Sequence, residues 1–291
     1  MARYGIPYQG SKSRIATWVV DQLPASHTLV DIFAGGCAVT HAALLSGKWD
    51  DIIANDLTDG PQIFLRAIHG EFADYDYVPT REEFKASDDS VVRILYSFAN
   101  NMHGYLWNKE LEPVLVAASQ MLSLSSLHDR RMAYKRFLRE LAPYLEGGDV
   151  TRKIFFGKSA YISRNHVLME LSGLERLERL QELEQLQGLQ GVQGLQVLQC
   201  DYRDVIVPDG ATVYADPPYA GASTDAYAPF DHDGFEAWLA AVPFPVYVSE
   251  YTPPRGCVVV AQRERTCKMS HAVSTKTTEL LCVQERFAHQ L

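Results

Sequence analysis

Long apolar runs are missing from this sequence. The most apolar stretch, LVDIFAGGCAVTHAALL, is broken by Asp31, two glycines and His41, and is shorter than the ~20 residues of a membrane-spanning helix. No membrane partner is expected. The opening residues, MARYGIPYQGSKSRIA, lack the apolar centre of a secretory signal. Cysteine is sparse as well. Cys37, Cys200, Cys257, Cys267 and Cys282 are odd in number, scattered, and form no C-x-x-C pair. This argues against a disulfide framework and structural zinc, and fits a reducing cytoplasm. His41, His103 and His271 stand in no cluster with ligand spacing, so they read as structural or surface residues and no metal is expected. Positive charge is in deficit overall: the net charge is -9, which argues weakly against a polyanionic partner.

What the sequence has is an ordinary globular composition over 291 residues, 47% hydrophobic and 22% charged, enough for one large domain or one domain with an insertion. The charge is uneven. Between residues 128 and 164, nine basic residues face four acidic ones. Arg130, Arg131, Lys135 and Arg136 lead that stretch. Alone, such a patch reads equally well as a solvated helix face.

The spacing predicts a strand at TLVDIF (28–33), a glycine turn at AGG, a helix over AVTHAALLS ending at Gly47, and a second strand at DIIAN (51–55) followed by Asp56. A strand, glycine turn, helix and acid-terminated strand point to a nucleotide-type ligand at the carboxyl ends of parallel strands. Residues 61–160 read as a mostly helical insert. Strand signals then return at QVLQC, ATVYA, PVYVS, CVVVAQ and ELLCVQE, with helical spacing in FDHDGFEAWLAAV. Strands alternating with helices predict a largely parallel α/β sheet, with the last two strands free to form an antiparallel hairpin. From Leu171 to Leu198 an apolar residue recurs every third position. A three-residue period drifts about 60° per step around an α-helix, so it makes no straight seam and no coiled coil. Residues 171–199 are read as an expanded connector, helical to about Leu186, then a loop, then a strand.

ATVYADPPYAG (211–221) ends a strand in an acid, two prolines and a tyrosine. Proline fixes φ and removes a backbone donor, so the turn is stiff and rich in acceptors. A carboxylate, free carbonyls and a flat ring suit an exocyclic amine on a flat heterocycle. Taken alone, PPY is as often a structural turn.

The motifs YQGSK, DIFAGGC, ANDL and ADPPY, in that order, resemble those of the Dam-type DNA adenine-N6 methyltransferases, a family with phage-encoded members. FDHDGFEAWL and VYVSEYTPP are similar to stretches after DPPY in such enzymes. The resemblance covers both ends of the chain well and the middle poorly. It implies a Rossmann-like α/β sheet that uses S-adenosylmethionine, with residues 1–60 and 161–291 forming the catalytic domain and residues 61–160 an inserted helical target-recognition subdomain. It implies that Tyr8, Lys12, Asp31, Phe33, Gly35, Asp56, Asp201 and Asp216 serve cofactor binding or the adjoining active site. Asp216, Pro217, Pro218 and Tyr219 would hold and activate the target base. Cys37 departs from the family's loop glycine, with a mild effect expected because cysteine is small. In this setting the basic stretch would contact phosphates, and Asn100 and Asn101 in NNMHGY become candidates for base reading.

The implied reaction is methyl transfer to N6 of a flipped adenine in double-stranded DNA, by a monomer in the cytoplasm of a prokaryote or as a phage product. Three alternatives stay open: cytosine N4 as target, adenine in RNA, and an inactive DNA-binding relative. Cytosine C5 chemistry is disfavoured, since no Pro-Cys dipeptide occurs.

Overall fold

A computed structural model describes residues 4–72, 77–97, 100–107, 109, 112–124, 126–145, 186–189, 193–219, 230–270 and 273–290. The chain divides into two compact units. One comprises residues 1–6, 10–65 and 189–291, and the other residues 7–9 and 66–188. The expected boundary near residue 160 lies outside the described residues.

The first unit is built on a seven-stranded sheet. In chain order its elements are α1 (Ala16–Gln22), β1 (Thr28–Asp31), α2 (Ala38–Ser46), β2 (Asp51–Asn55), β3 (Leu195–Leu198), β4 (Thr212–Ala215), α8 (His232–Ala241), β5 (Val246–Glu250), β6 (Cys257–Ser270) and β7 (Val273–Gln284). The spatial order is β3-β2-β1-β4-β5-β7-β6. The first five are mutually parallel, and β7 enters antiparallel between β5 and β6. This is a mixed α/β, Rossmann-like sheet.

The central strands read as unbroken apolar runs because both faces of the sheet are covered. Leu29, Ile52, Tyr214 and Tyr247 pack on one side with Val19 and Val20 of α1 and Ala42 and Ala43 of α2. Their neighbours Val30, Ile53, Val213 and Val248 pack on the other with Phe235 and Leu239 of α8. Each fully buried Val, Leu or Phe contributes about 1.5–3 kcal/mol. α2 ends at Gly47 in the left-handed region, φ 63°, as its position in the sequence predicts.

Two expectations shift. β3 stops at Leu198, short of the predicted Cys200. The Cys200 N–H donates to Asn55 Oδ1 (3.1 Å) and its carbonyl accepts from Asn55 Nδ2 (3.0 Å), so a side chain replaces the ladder there. β6 and β7 run well beyond the predicted apolar cores, as a charged hairpin with paired register from Cys257↔Gln284 to Ser270↔Val273. Of the three-residue repeat, Leu186–Leu189 forms a 3-10 turn. The helix expected before it lies outside the described residues.

The second unit carries α4 (Arg81–Ala86), α5 (Ser90–Leu95), α6 (Glu112–Ser123) and α7 (Leu127–Leu145), while α3 (Gly60–Ile68) spans the division between units. Thr80 and Glu83 form a reciprocal capping box on α4. Phe84, Tyr96, Tyr105 and Trp107 make an aromatic core, tied by an Arg81–Glu112 ion pair of 2.8 Å. Between α5 and α6 an isolated antiparallel bridge joins Ser97 to Tyr105. Among the described residues, no helix is long and apolar enough to cross a membrane.

Candidate active site

The order β3-β2-β1-β4-β5 reverses direction between β1 and β4, which opens a crevice at the carboxyl ends of the strands. Carboxylates stand at those ends. Asp31 closes β1, Asp56 follows β2, Asp216 follows β4 and Glu250 closes β5. β7 runs the other way and pairs Leu280 with Glu250, so Glu279 arrives at the same edge.

The segment before α1 is tied onto the turn after β1. The Gly5 N–H donates to His41 Nδ1 (3.0 Å) and the Ile6 N–H to the Gly36 carbonyl (2.8 Å). Gly5 has φ +75°, and a Cβ there would meet the Gly36 oxygen at 2.2 Å, so the approach needs glycine. Burial holds the His41 imidazole neutral, its pKa lowered to about 4, which suits an acceptor Nδ1.

That segment delivers Lys12. Its side chain is 5% exposed, with Nζ 2.7 Å from Asp216 Oδ1 and 3.6 Å from Glu279 Oε1. The same ammonium sits 4.4 Å from the centroid of the Tyr219 ring. Tyr219 donates its hydroxyl proton to Glu279 Oε1, and its ring meets Tyr251 edge to face at 4.5 Å. Pro217 is buried and Pro218 half-buried between the two functional side chains. Burial raises the Asp216 carboxyl above its usual range, while Lys12 opposes that shift. Burial, with the charges of Asp216 and Glu279, keeps Tyr219 a neutral phenol.

The glycine turn organises a second group. Asp31 is buried and accepts from Thr40 Oγ1 (2.8 Å), while its other oxygen, Oδ1, is buried with no hydrogen-bond partner. Burial first, then the charges of Asp216 and Asp56, push the Asp31 carboxyl up to about 7. Asp56 Oδ2 accepts from the Gly35 N–H (2.8 Å), and Oδ1 accepts from both the N–H and hydroxyl of Thr58 (2.9 and 2.7 Å). A carboxylate has about four acceptor sites, so one remains on Asp56. Cys37 adopts φ 59°, ψ 35°, the left-handed conformation that favours glycine. Phe33 does not face this polar group. It packs with Tyr202, Phe230 and Phe235 at centroid distances of 5.1–5.7 Å.

The other expected site residues divide between the two units. The Asp201 carboxylate forms a two-point pair with Arg203 (2.8 Å each) that holds it below the usual carboxylate range. Tyr8 groups with the second unit. In that unit Asn101 Oδ1 accepts from the N–H groups of His103 and Gly104, and Asn100 has φ 58° with a buried, unpartnered Oδ1. Arg131, Lys135 and Arg136 are exposed on α7. The Arg130 side chain lies outside the described residues.

Two participants carry no signal in the sequence. Glu279 is one acid at the start of an apolar run, and only the strand register brings it to Tyr219. Asn55 precedes the recognised Asp56, and its amide spans the Ile32 carbonyl and both backbone groups of Cys200.

The donor set discriminates between ligands. Asp31, Asp56, Asp216 and Glu279 outnumber the single Lys12 among the described residues at this edge. Such a surplus of acceptors repels a pyrophosphate and suits a ligand with cationic and hydroxyl donors. The buried, unpartnered Asp31 oxygen has the same need for a donor.

Known proteins are similar to this chain over part of its length. A 53-residue stretch is 40% identical to the Type II methyltransferase M2.HphI of Haemophilus parahaemolyticus, covering 18% of this chain and 15% of that protein. Residues 8–99, which include Lys12, the glycine turn and Asp56, match the family of D12 class N6 adenine-specific DNA methyltransferases, and over that span the chain carries this family's signature.

Proposed function

We propose that the protein transfers a methyl group from S-adenosylmethionine to the N6 amine of an adenine flipped out of double-stranded DNA. The observation that carries the reading is the buried pairing of Lys12 with Asp216, beside the Tyr219 ring, at the crevice between β1 and β4. Asp31, with its unpartnered oxygen, and Asp56, with its remaining acceptor site, would hold the amine and hydroxyl donors of the cofactor. When bound, S-adenosylmethionine supplies a methyl group on a positively charged sulfur, which departs as a neutral thioether.

The remaining work falls to the chain. The N6 lone pair of adenine is delocalised into the ring. Asp216 and the Pro217 carbonyl accept hydrogen bonds from the amine, which favours a pyramidal nitrogen and frees the lone pair. As the new N–C bond forms, the nitrogen becomes cationic, and the Asp216 carboxylate stabilises that charge until one proton is shed. Lys12 takes one face of the Tyr219 ring, so the base would stack on the opposite face. Holding the reacting atoms about 3 Å apart supplies much of the remaining barrier reduction. The exposed basic residues of α7 would hold phosphates.

The test is transfer of labelled methyl from S-adenosylmethionine to unmethylated duplex DNA, with the product nucleoside identified by mass spectrometry. N6-methyladenine is expected. N4-methylcytosine would change the base and keep the mechanism. Transfer to RNA alone would change the partner. Cofactor binding with no product on either nucleic acid would overturn the reading.

A further inference from the structure

We propose that Glu279 is a positioning residue for methyl transfer, one carboxylate that fixes the Tyr219 ring from behind and shares Lys12 with Asp216. This inference rests on the methyl-transfer reading above. None of the motifs that carry that reading includes Glu279.

A carboxylate with no exposed side-chain surface is costly unless donors compensate it. Two donors from different segments reach Glu279. One is the Tyr219 hydroxyl, from the turn after β4, and the other is the Lys12 ammonium, from the segment before α1. The ring that would stack on the base is thereby anchored at its far end. An unanchored ring swings about its Cα–Cβ bond and carries the stacking surface out of place.

The second effect concerns Lys12. Its ammonium lies 2.7 Å from Asp216 and 3.6 Å from Glu279. With Glu279 neutralised, the ammonium loses that pull away from Asp216. It then competes with the target amine for the Asp216 lone pairs. Glu279 also acts on Asp216 by charge. The titratable groups facing Asp216 are Lys12, Glu279, Tyr219, Tyr214 of β4 and Asp31 of β1. Among them the negative charge of Glu279 favours the protonated Asp216 carboxyl. Methyl transfer needs the carboxylate. Removing the Glu279 charge therefore lets Asp216 ionise at lower pH.

Two variants separate charge from reach, each followed through kcat and the pH profile of kcat/KM on duplex DNA. Glu279→Gln keeps the shape and drops the charge. We expect kcat to fall about tenfold to a hundredfold, with the acid limb displaced to lower pH. Glu279→Asp keeps the charge and shortens the reach by one methylene. It is expected to lose kcat by a similar factor with the acid limb in place. Tyr219→Phe removes the shared hydrogen bond from its other end, and Glu279→Asp in that background should cost little more. An acid limb unmoved in a folded Glu279→Gln protein, or full kcat in Glu279→Asp, overturns the proposal and leaves Glu279 a core residue. If Glu279→Gln does not fold, Glu279→Asp and its combination with Tyr219→Phe decide, and additive losses overturn it. A wild-type protein that transfers no methyl group overturns the underlying reading first.

Discussion

Two charged regions of the molecule differ in what their charges can be made to say. At the strand ends, Lys12, Asp31, Asp216 and Glu279 are buried or nearly so, and each has an ion-pair or hydrogen-bond partner. On α7, Arg131, Lys135, Arg136 and Arg139 stand in solvent; among the described residues Arg136 bonds to Gln120 (3.0 Å) and Arg139 pairs with its sequence neighbour Glu140. A buried charge must be compensated in a fixed geometry, so its surroundings specify chemistry. An exposed charge is screened and adaptable, so its surroundings specify little beyond sign.

This contrast is most open to attack at Asp216. Asp216→Ala should lower kcat at least about a hundredfold, with cofactor binding retained in calorimetry. Near-normal turnover would mean that this burial is structural and that the chemistry lies elsewhere.

Asp31→Asn sharpens it next, because two readouts should move in opposite directions. The folded-state pKa of Asp31 is raised to about 7 from an ordinary 3.8. Its favourable contribution to stability is thus complete below the unfolded value and is lost as pH rises through about 7. At pH 8 the wild type holds a buried, under-paired carboxylate. Asp31→Asn should therefore raise Tm at pH 8, by about 2–4 °C per kcal/mol recovered, with little gain at pH 5. S-adenosylmethionine affinity should fall about tenfold, the loss of one hydrogen bond to a charged acceptor. A Tm gain that is equal at both pH values would rule out titration of Asp31 as its cause.

On α7 the effects should be smaller and uniform. Replacing Arg131 and Lys135 together by Ala should weaken binding across DNA sequences. It should also reduce the slope of log affinity against log salt by about one for each phosphate no longer neutralised. An unchanged slope would return this face to simple solvation. The smallest effect is expected at Cys37. Cys37→Gly relieves a left-handed non-glycine residue, worth about 1 kcal/mol, but removes a fully buried side chain. The two oppose each other, and denaturant unfolding should place the net change within about 1 kcal/mol.

The sheet is readable in the sequence because its strands are covered on both faces, so TLVD, TVYA and VYVSE appear as plain apolar runs. Asp56 and Asp216 are readable for the same reason, since each ends such a run, whereas Asp31 falls inside the predicted strand TLVDIF and the strand stops at it. The hairpin is only half readable. Past Ala261 its residues, QRERTCKMS, carry charge at Arg263, Glu264, Arg265 and Lys268 and have no apolar signal. Glu279 is not readable at all, because one acid among 36 Asp and Glu residues becomes special only through its register beside Glu250. Phe33 has a packing role that its motif does not signal. It sits inside a recognised motif, yet its ring serves the aromatic packing under α8.

The placement of β7 has a consequence for the order in which the protein is made. β6 precedes β7 in the chain but lies outside it in the sheet, so β6 has no strand to join until β7 has been made. The hairpin must dock as one piece. Until then a growing chain holds the glycine turn, Lys12 and the Asp-Pro-Pro-Tyr turn without the carboxylate that ties the last two together. Competence to react would then arrive late and in a single step, when the final strand pair closes onto the sheet.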